Sequence, residues 1–196
     1  TRRLAAVVAD EWNAQEKDVI PNSMPITQLV FTGIDNFGDE IDLIREETAK
    51  YGETDLLCYR VSDPKALGAQ QDENWQPLLD WAAKQLDAPL TVTRGIMAVD
   101  QPLQSLTALR LPLERLDILH ITALRTLVGA TGSLVLALAV YFGRVSPDEA
   151  VELATLEERF QIETWGPDDD LQGSLDGKRE DARSAGTILA ALSRQD

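Results

Sequence analysis

The stretch ERLDILHITALRTLVGATGSLVLALAVYFG, Glu114 to Gly143, decides the fold class. From Thr126 to Gly143 it holds no charged residue, and an uncharged apolar run of that length is the usual mark of a membrane-spanning helix. Three features argue otherwise. Gly129-Ala130-Thr131-Gly132-Ser133 interrupts the run, His120 and Arg125 sit just upstream, and no polybasic flank orients it. The same residues predict two buried helices, about 114–129 and 133–143, meeting at a Gly/Ser turn. A single continuous helix with a close-packed patch of small residues is the alternative. Leu134 to Val140 is apolar on every side, which predicts the central helix of a bundle and no membrane insertion.

Working outward, Ser146-Pro147-Asp148-Glu149 reads as a capping box, the serine oxygen taking the third amide and the glutamate reaching back. The helix it opens is expected to run to about Thr164 and stop at Trp165-Gly166-Pro167. Asp168-Asp169-Asp170 through Gly177 reads as a loop, and 178–193 as a weak final helix with Ala182, Ala185, Ile188, Leu189 and Leu192 inward. Upstream, residues 2–16 read as an amphipathic helix capped by Thr1. A second apolar pattern follows Met24, and a third helix is expected after Gly38, with Ile41, Ile44 and Ala49 inward. Its front end, with Asp39, Glu40 and Asp42, suits the positive end of a helix dipole. Ser62-Asp63-Pro64 reads as the start of a helix to about Leu86 that buries Leu67, Trp75, Leu78, Leu79 and Ala82. Trp75, Trp81 and Trp165 read chiefly as packing residues, with the contact surface as the alternative place for Trp165. Two short strands are expected near 55–60 and 90–94.

The fold class is therefore mainly α. An N-terminal α(+β) portion, about 1–94, precedes a C-terminal helical bundle, about 95–196. The 196 residues suffice for one ordinary domain or two small ones. The chain opens Thr1-Arg2-Arg3 and runs at once into a helical pattern, with no signal-peptide features, which reads as a trimmed chain.

Charge removes several function classes. With 18 Lys+Arg against 33 Asp+Glu, the net charge is −15. That field repels nucleic-acid phosphates and anionic lipid. A lone cysteine, Cys58, excludes an intrachain disulfide, and a lone histidine, His120, excludes multi-histidine metal sites. Neither nucleotide-binding glycine fingerprint is present. Ser62-Asp63-Pro64-Lys65 matches a bare Ser-x-x-Lys, but its partner motifs are missing. His120, one turn from Leu116 and Leu124, reads as a core histidine, and Cys58 as an inert buried thiol. No metal and no cofactor is expected.

The informative acids are Glu152, Glu157, Glu158 and Glu163, which share the expected 148–164 helix with Phe160 and a following Trp165. Such charges usually form a solvated face, yet carboxylates flanking aromatics also suit a protein-binding face. Two rival classes stay open beside a binder: a carboxylate-dependent hydrolase and a self-associating acidic structural subunit.

Several stretches together resemble one family. They are LAAVVADEWNAQ from Leu4 to Gln15, Met24-Pro25-Ile26-Thr27, Asp55-Leu56-Leu57-Cys58-Tyr59-Arg60 and WQPLLDW from Trp75 to Trp81. The most distinctive is Leu156-Glu157-Glu158-Arg159-Phe160-Gln161, followed by Trp165-Gly166. The chain resembles, over essentially its whole length, the assembly chaperone of the F-type ATP synthase that binds the free α subunit. The resemblance implies a monomeric non-enzyme without a nucleotide or other cofactor. It implies that the chain shields the β-facing surface of α until the catalytic hexamer forms. The setting implied is bacterial cytoplasm, or the mitochondrial matrix in a eukaryote. The family carries a β-rich region ahead of the LAAVVADEW segment, which this sequence does not include. The partner-binding residues it suggests are Glu157, Glu158, Phe160, Gln161 and Trp165.

Overall fold

The computed structural model describes residues 1–37, 40–95 and 97–193. Gly38 and Asp39, at the expected start of the third helix, lie outside them. Ten α-helices and one two-stranded sheet follow one another among the described residues, so the mainly helical class holds.

The first helix, α1 (Arg2–Asn13), starts where Thr1 was expected to cap it. The Thr1 hydroxyl accepts the Leu4 N–H at 3.2 Å and donates to the Ala191 carbonyl at 2.7 Å, pinning the first residue to the last helix. Helix α2 (Pro25–Phe31) has no cap of its own. Its cap comes from α1, where the Glu11 carboxylate accepts the Ile26 N–H at 2.9 Å and the Thr27 N–H at 2.6 Å. Two orphan amides at a helix start are thereby satisfied by a negative charge. A wider turn over Thr32–Asn36 follows, then α3 (Ile41–Ala49), with Ile44 buried as expected.

Leu56–Cys58 form one tight turn that runs into strand β1 (Tyr59–Arg60). The strand pairs in parallel with β2 (Thr93–Arg94), Tyr59 opposite Thr93 and Arg60 opposite Arg94. Between them, α4 (Lys65–Gln85) buries Leu67, Trp75, Leu78, Leu79 and Ala82. Its first residue is Lys65, so Pro64 stands at the cap in extended backbone and Ser62 supplies no cap, unlike the expected start.

The stretch from Glu114 to Gly143 resolves into two helices, with a further helix just ahead of it. Helix α5 (Leu103–Glu114) was not separated in the sequence reading. Helix α6 (Ile118–Thr131) starts four residues later than expected, because the Asp117 carboxylate accepts the Leu119 and His120 N–H groups, each at 3.0 Å. Gly132 ends it in the left-handed region at φ 66°, and the Ser133 hydroxyl opens α7 (Leu134–Tyr141) by accepting the Leu136 N–H at 3.0 Å. The two-helix reading holds and the continuous helix falls. Leu134 to Ala139 are all 0% exposed, and α4, α6, α8 and α10 surround them.

Two expectations are corrected beyond α7. The helix opened by the Ser146–Glu149 capping box is α8 (Pro147–Ala154), and it does not run on to Thr164. Thr155 breaks it: the buried hydroxyl donates back to the Val151 carbonyl at 2.7 Å, and α9 (Leu156–Trp165) starts afresh. The supposed loop 168–177 is helical, since α10 spans Asp169–Leu192. Asp168 caps it, accepting the Leu171 N–H at 2.9 Å, and the acids at 169 and 170 suit its positive end. Gly173 and Gly177 each cost roughly 1 kcal/mol in a helix, and packing of α10 along α6, α8 and α2 offsets that. Buried side chains from Leu4 through Trp75 and Leu136 to Ile188 form one cluster. No helix among the described residues is long and apolar enough to cross a membrane.

Candidate functional site

Glu157 and Glu158 open α9, directly after the Thr155 break. Alongside them run the C-terminal end of α6 and the middle of α10. Together these walls enclose a groove of about 490 Å³ whose lining includes Gly129, Gly132, Glu157, Glu158, Gln161 and Lys178. Leu56 and the Trp75 ring contribute to it from the core side. Gly129 leaves its part of the wall empty, because a Cβ built there meets nothing within 4 Å.

The two acids are not equivalent. Glu158 accepts a hydrogen bond from the Lys178 ammonium at 2.9 Å, both side chains being about three-tenths exposed. Glu157 is exposed and has no ion pair among the described residues. The α6 C-terminus, with its partial negative charge, faces the same space. The groove thus carries two carboxylates and a helix C-terminus against one ammonium, and its vacant part favours a cation.

The site's far wall is held from below. Asp55, fully buried, accepts hydrogen bonds from the Ser133 hydroxyl at 2.7 Å, the Val135 N–H at 2.9 Å and the Leu57 N–H at 3.1 Å. Burial pushes its carboxyl up to about 6 even so. The Leu56 N–H donates to the Gly132 carbonyl at 3.2 Å, so the turn lining the groove is locked to the 55–58 segment. Further along that segment, buried Arg60 pairs with Asp72 at 2.8 Å, and Arg94 reaches the other Asp72 oxygen at 2.5 Å. The two guanidiniums, Arg94 first, hold the Asp72 carboxyl below its usual range.

Of the residues suggested from sequence, Glu157, Glu158 and Gln161 meet at this groove. Phe160 does not: it is half-buried and packs against the core, contrary to its exposed-looking position. Trp165 stands clear of the groove and is 77% exposed, so its reading as a packing residue fails. Glu152 lies on α8, and lines a separate small groove with Arg159. Trp75 packs as expected, its indole N–H donating to the Leu153 carbonyl at 2.8 Å. Lys178 and Gly129 were missed. Nothing local in the sequence pairs Lys178 with an acid 20 positions earlier; only the fold joins them.

Of the other chemical candidates, Cys58 is buried as the sequence suggested, whereas His120 is no core histidine: its side chain is 21% exposed and lines an open groove by the end of α7. His120 donates to or accepts from Asp117 at 2.8 Å across one helical turn, with its ring edge-on to Tyr141. Cys58 is 0% exposed, and burial, with the nearby Asp55 charge, pushes its thiol up to about 12. Ser62 and Lys65 are both exposed. No cluster of three or more His, Cys, Asp or Glu is placed to hold a metal among the described residues.

Known proteins share this architecture. The pattern of the ATP12 chaperone protein family matches residues 1–83. Atp12 from Paracoccus denitrificans superposes with a TM-score of 0.95 at 37% identity, over 98% of this chain and 83% of its own. A mutant of the P. denitrificans Atp12p gives 0.95 and 37%, over 98% and 82%. A protein from Agrobacterium tumefaciens, described as a candidate chaperone, gives 0.94 and 36%, over 98% and 72%. Identity at this level, held across nearly the whole chain and most of each relative, goes beyond a shared fold: the chain belongs to the ATP12 chaperone family.

Proposed function

We propose that this chain, an ATP synthase assembly chaperone of the ATP12 family, binds the free α subunit of the F-type enzyme. It holds α as a monomer, in bacterial cytoplasm or the mitochondrial matrix, and shields the β-facing surface until the hexamer forms. The observation that carries this reading is the groove of α6, α9 and α10, where Glu157 stands unpaired beside the Lys178-held Glu158. An interface that normally meets another subunit of a nucleotide-binding ring presents Arg and Lys. A carboxylate groove would satisfy them in the neighbour's absence and speed encounter.

The experiment is co-expression with α and, separately, with β, read by gel filtration. A soluble complex with α and none with β is expected. Glu157→Lys together with Glu158→Lys should abolish that complex while the variant keeps its helical circular dichroism. A folded double variant that still binds α sinks the assignment of the contact to this groove.

A further inference from the structure

Phe142 divides two apolar grooves at the C-terminal end of α7, the opposite end of that helix from the Gly132–Ser133 turn. One groove, of about 680 Å³, has His120, Val145, Pro147 and Leu189 in its walls. The other, of about 400 Å³, has Leu86, Ala108, Leu111, Pro112 and Arg115. Phe142 is 50% exposed and Leu111 51%, while Tyr141 and Trp81 hold the Phe142 ring at centroid distances of 4.9 Å and 6.2 Å. An aromatic ridge braced in this way is the kind of rigid anchor that carries binding energy at protein interfaces.

The local charge is the reverse of the chain's. Although 33 of 196 residues are acids, no acid among the described residues lines either groove. The two acids flanking Arg115 in sequence are engaged, Glu114 by Arg110 at 3.3 Å and Asp117 by His120 at 2.8 Å. Arg115 itself is exposed, lines the smaller groove and has no ion pair among the described residues. This groove therefore matches an apolar side chain with a carboxylate close by, the complement of what the Glu157 groove accepts.

We propose that this pole is a second docking surface, and that it takes an apolar, carboxylate-bearing segment of the same client that the Glu157 groove holds. This rests on the reading that the client is the free α subunit. The two sites stand at opposite ends of α7, which at eight residues is about 12 Å long at 1.5 Å per residue, a length that one folded client can exceed. Two contacts of opposite polarity would fix the client's orientation as well as its affinity.

The test is titration of purified α subunit into the wild-type chain, Phe142→Asp, Arg115→Glu and Arg115→Lys, with sedimentation of each chain alone. Phe142→Asp and Arg115→Glu should each weaken α binding at least tenfold, and Arg115→Lys much less. Should Phe142→Asp fail to fold, Arg115→Glu decides alone, since that side chain is exposed and unpaired. Wild-type affinity in folded Arg115→Glu and Phe142→Asp overturns the proposal and leaves the Glu157 groove standing. A dimer of the chain alone that Phe142→Asp dissolves also overturns it, because a second copy is then the occupant. A wild-type chain that binds no α overturns the functional reading and this inference with it.

Discussion

Asp55 and Ser133, 78 positions apart, share a 2.7 Å hydrogen bond between side chains that are both 0% exposed. The carboxylate also receives the Val135 N–H, so a residue of the N-terminal portion occupies the positive end of the central helix. It is the join that sets the Gly132 turn against Leu56, and with it one wall of the candidate site.

The same join predicts a pH dependence. Asp55 has its carboxyl raised from 3.8 to about 6 by burial. Below pH 4 it is protonated in both states, and above pH 6 it is charged in both. Between these limits the native chain keeps a proton that the unfolded chain has lost. The Asp55 contribution to stability is then largest at low pH and declines as pH rises to about 6, with a slope of at most about 1.4 kcal/mol per pH unit. Urea unfolding of wild type and Asp55→Asn at half-unit steps isolates it as the difference between the two curves. A difference that stays flat from pH 4 to 6 refutes the assignment.

Cys58, three residues on, shares that burial and has its thiol pushed up to about 12. The thiolate is the reactive form, so Cys58 should resist a chromogenic disulfide reagent in native buffer for hours and react at once in denaturant. Rapid labelling of the native chain would show that the 55–58 segment opens readily.

How much of this was legible beforehand follows from where each partner lies in the chain. The Ser146–Glu149 box and the Gly132–Ser133 turn are local devices, complete within four residues, and both appear where the sequence places them. The α10 start was misread because Asp168-Asp169-Asp170 is equally a loop and a capped first turn. The choice is made by packing against α6, which no local pattern carries. The site divides in the same way. Glu157, Glu158 and Gln161 are neighbours on one helix and can be picked out of the sequence together, whereas Lys178, Gly129 and Trp75 reach the groove from three other helices.

Glu11 is the second long-range cap, and it accounts for why ADEW and MPIT occur together in one chain. Its carboxylate receives the Ile26 and Thr27 amides at 2.9 Å and 2.6 Å, where α2 has no cap of its own. Glu11→Ala leaves both amides to solvent and should cost about 1–2 kcal/mol, measured as a lower urea midpoint at unchanged slope. Glu11→Gln keeps one acceptor oxygen and should lose less. Equal stability of all three proteins would mean that water replaces the carboxylate without loss.

The sharpest separation of function from fold comes from two glycines. At Gly129, in the wall of the candidate groove, an added Cβ meets nothing within 4 Å, and the residue sits inside α6. Gly129→Leu therefore has room, improves helix propensity by roughly 0.5–1 kcal/mol, and fills space that a partner side chain is proposed to enter. It should leave the melting temperature unchanged or raised while weakening α-subunit binding at least tenfold. Gly186, on α10, is the opposite case: a Cβ there runs into the Pro147 ring at the start of α8. Gly186→Leu should lower the melting temperature; since Gly186 and Pro147 also line the larger groove beside Phe142, stability alone is the readout for this variant. If Gly129→Leu is stable and binds α as tightly as the wild type, no side chain enters the groove. Glu157 would then have to act from its exposed side, at the surface of α9.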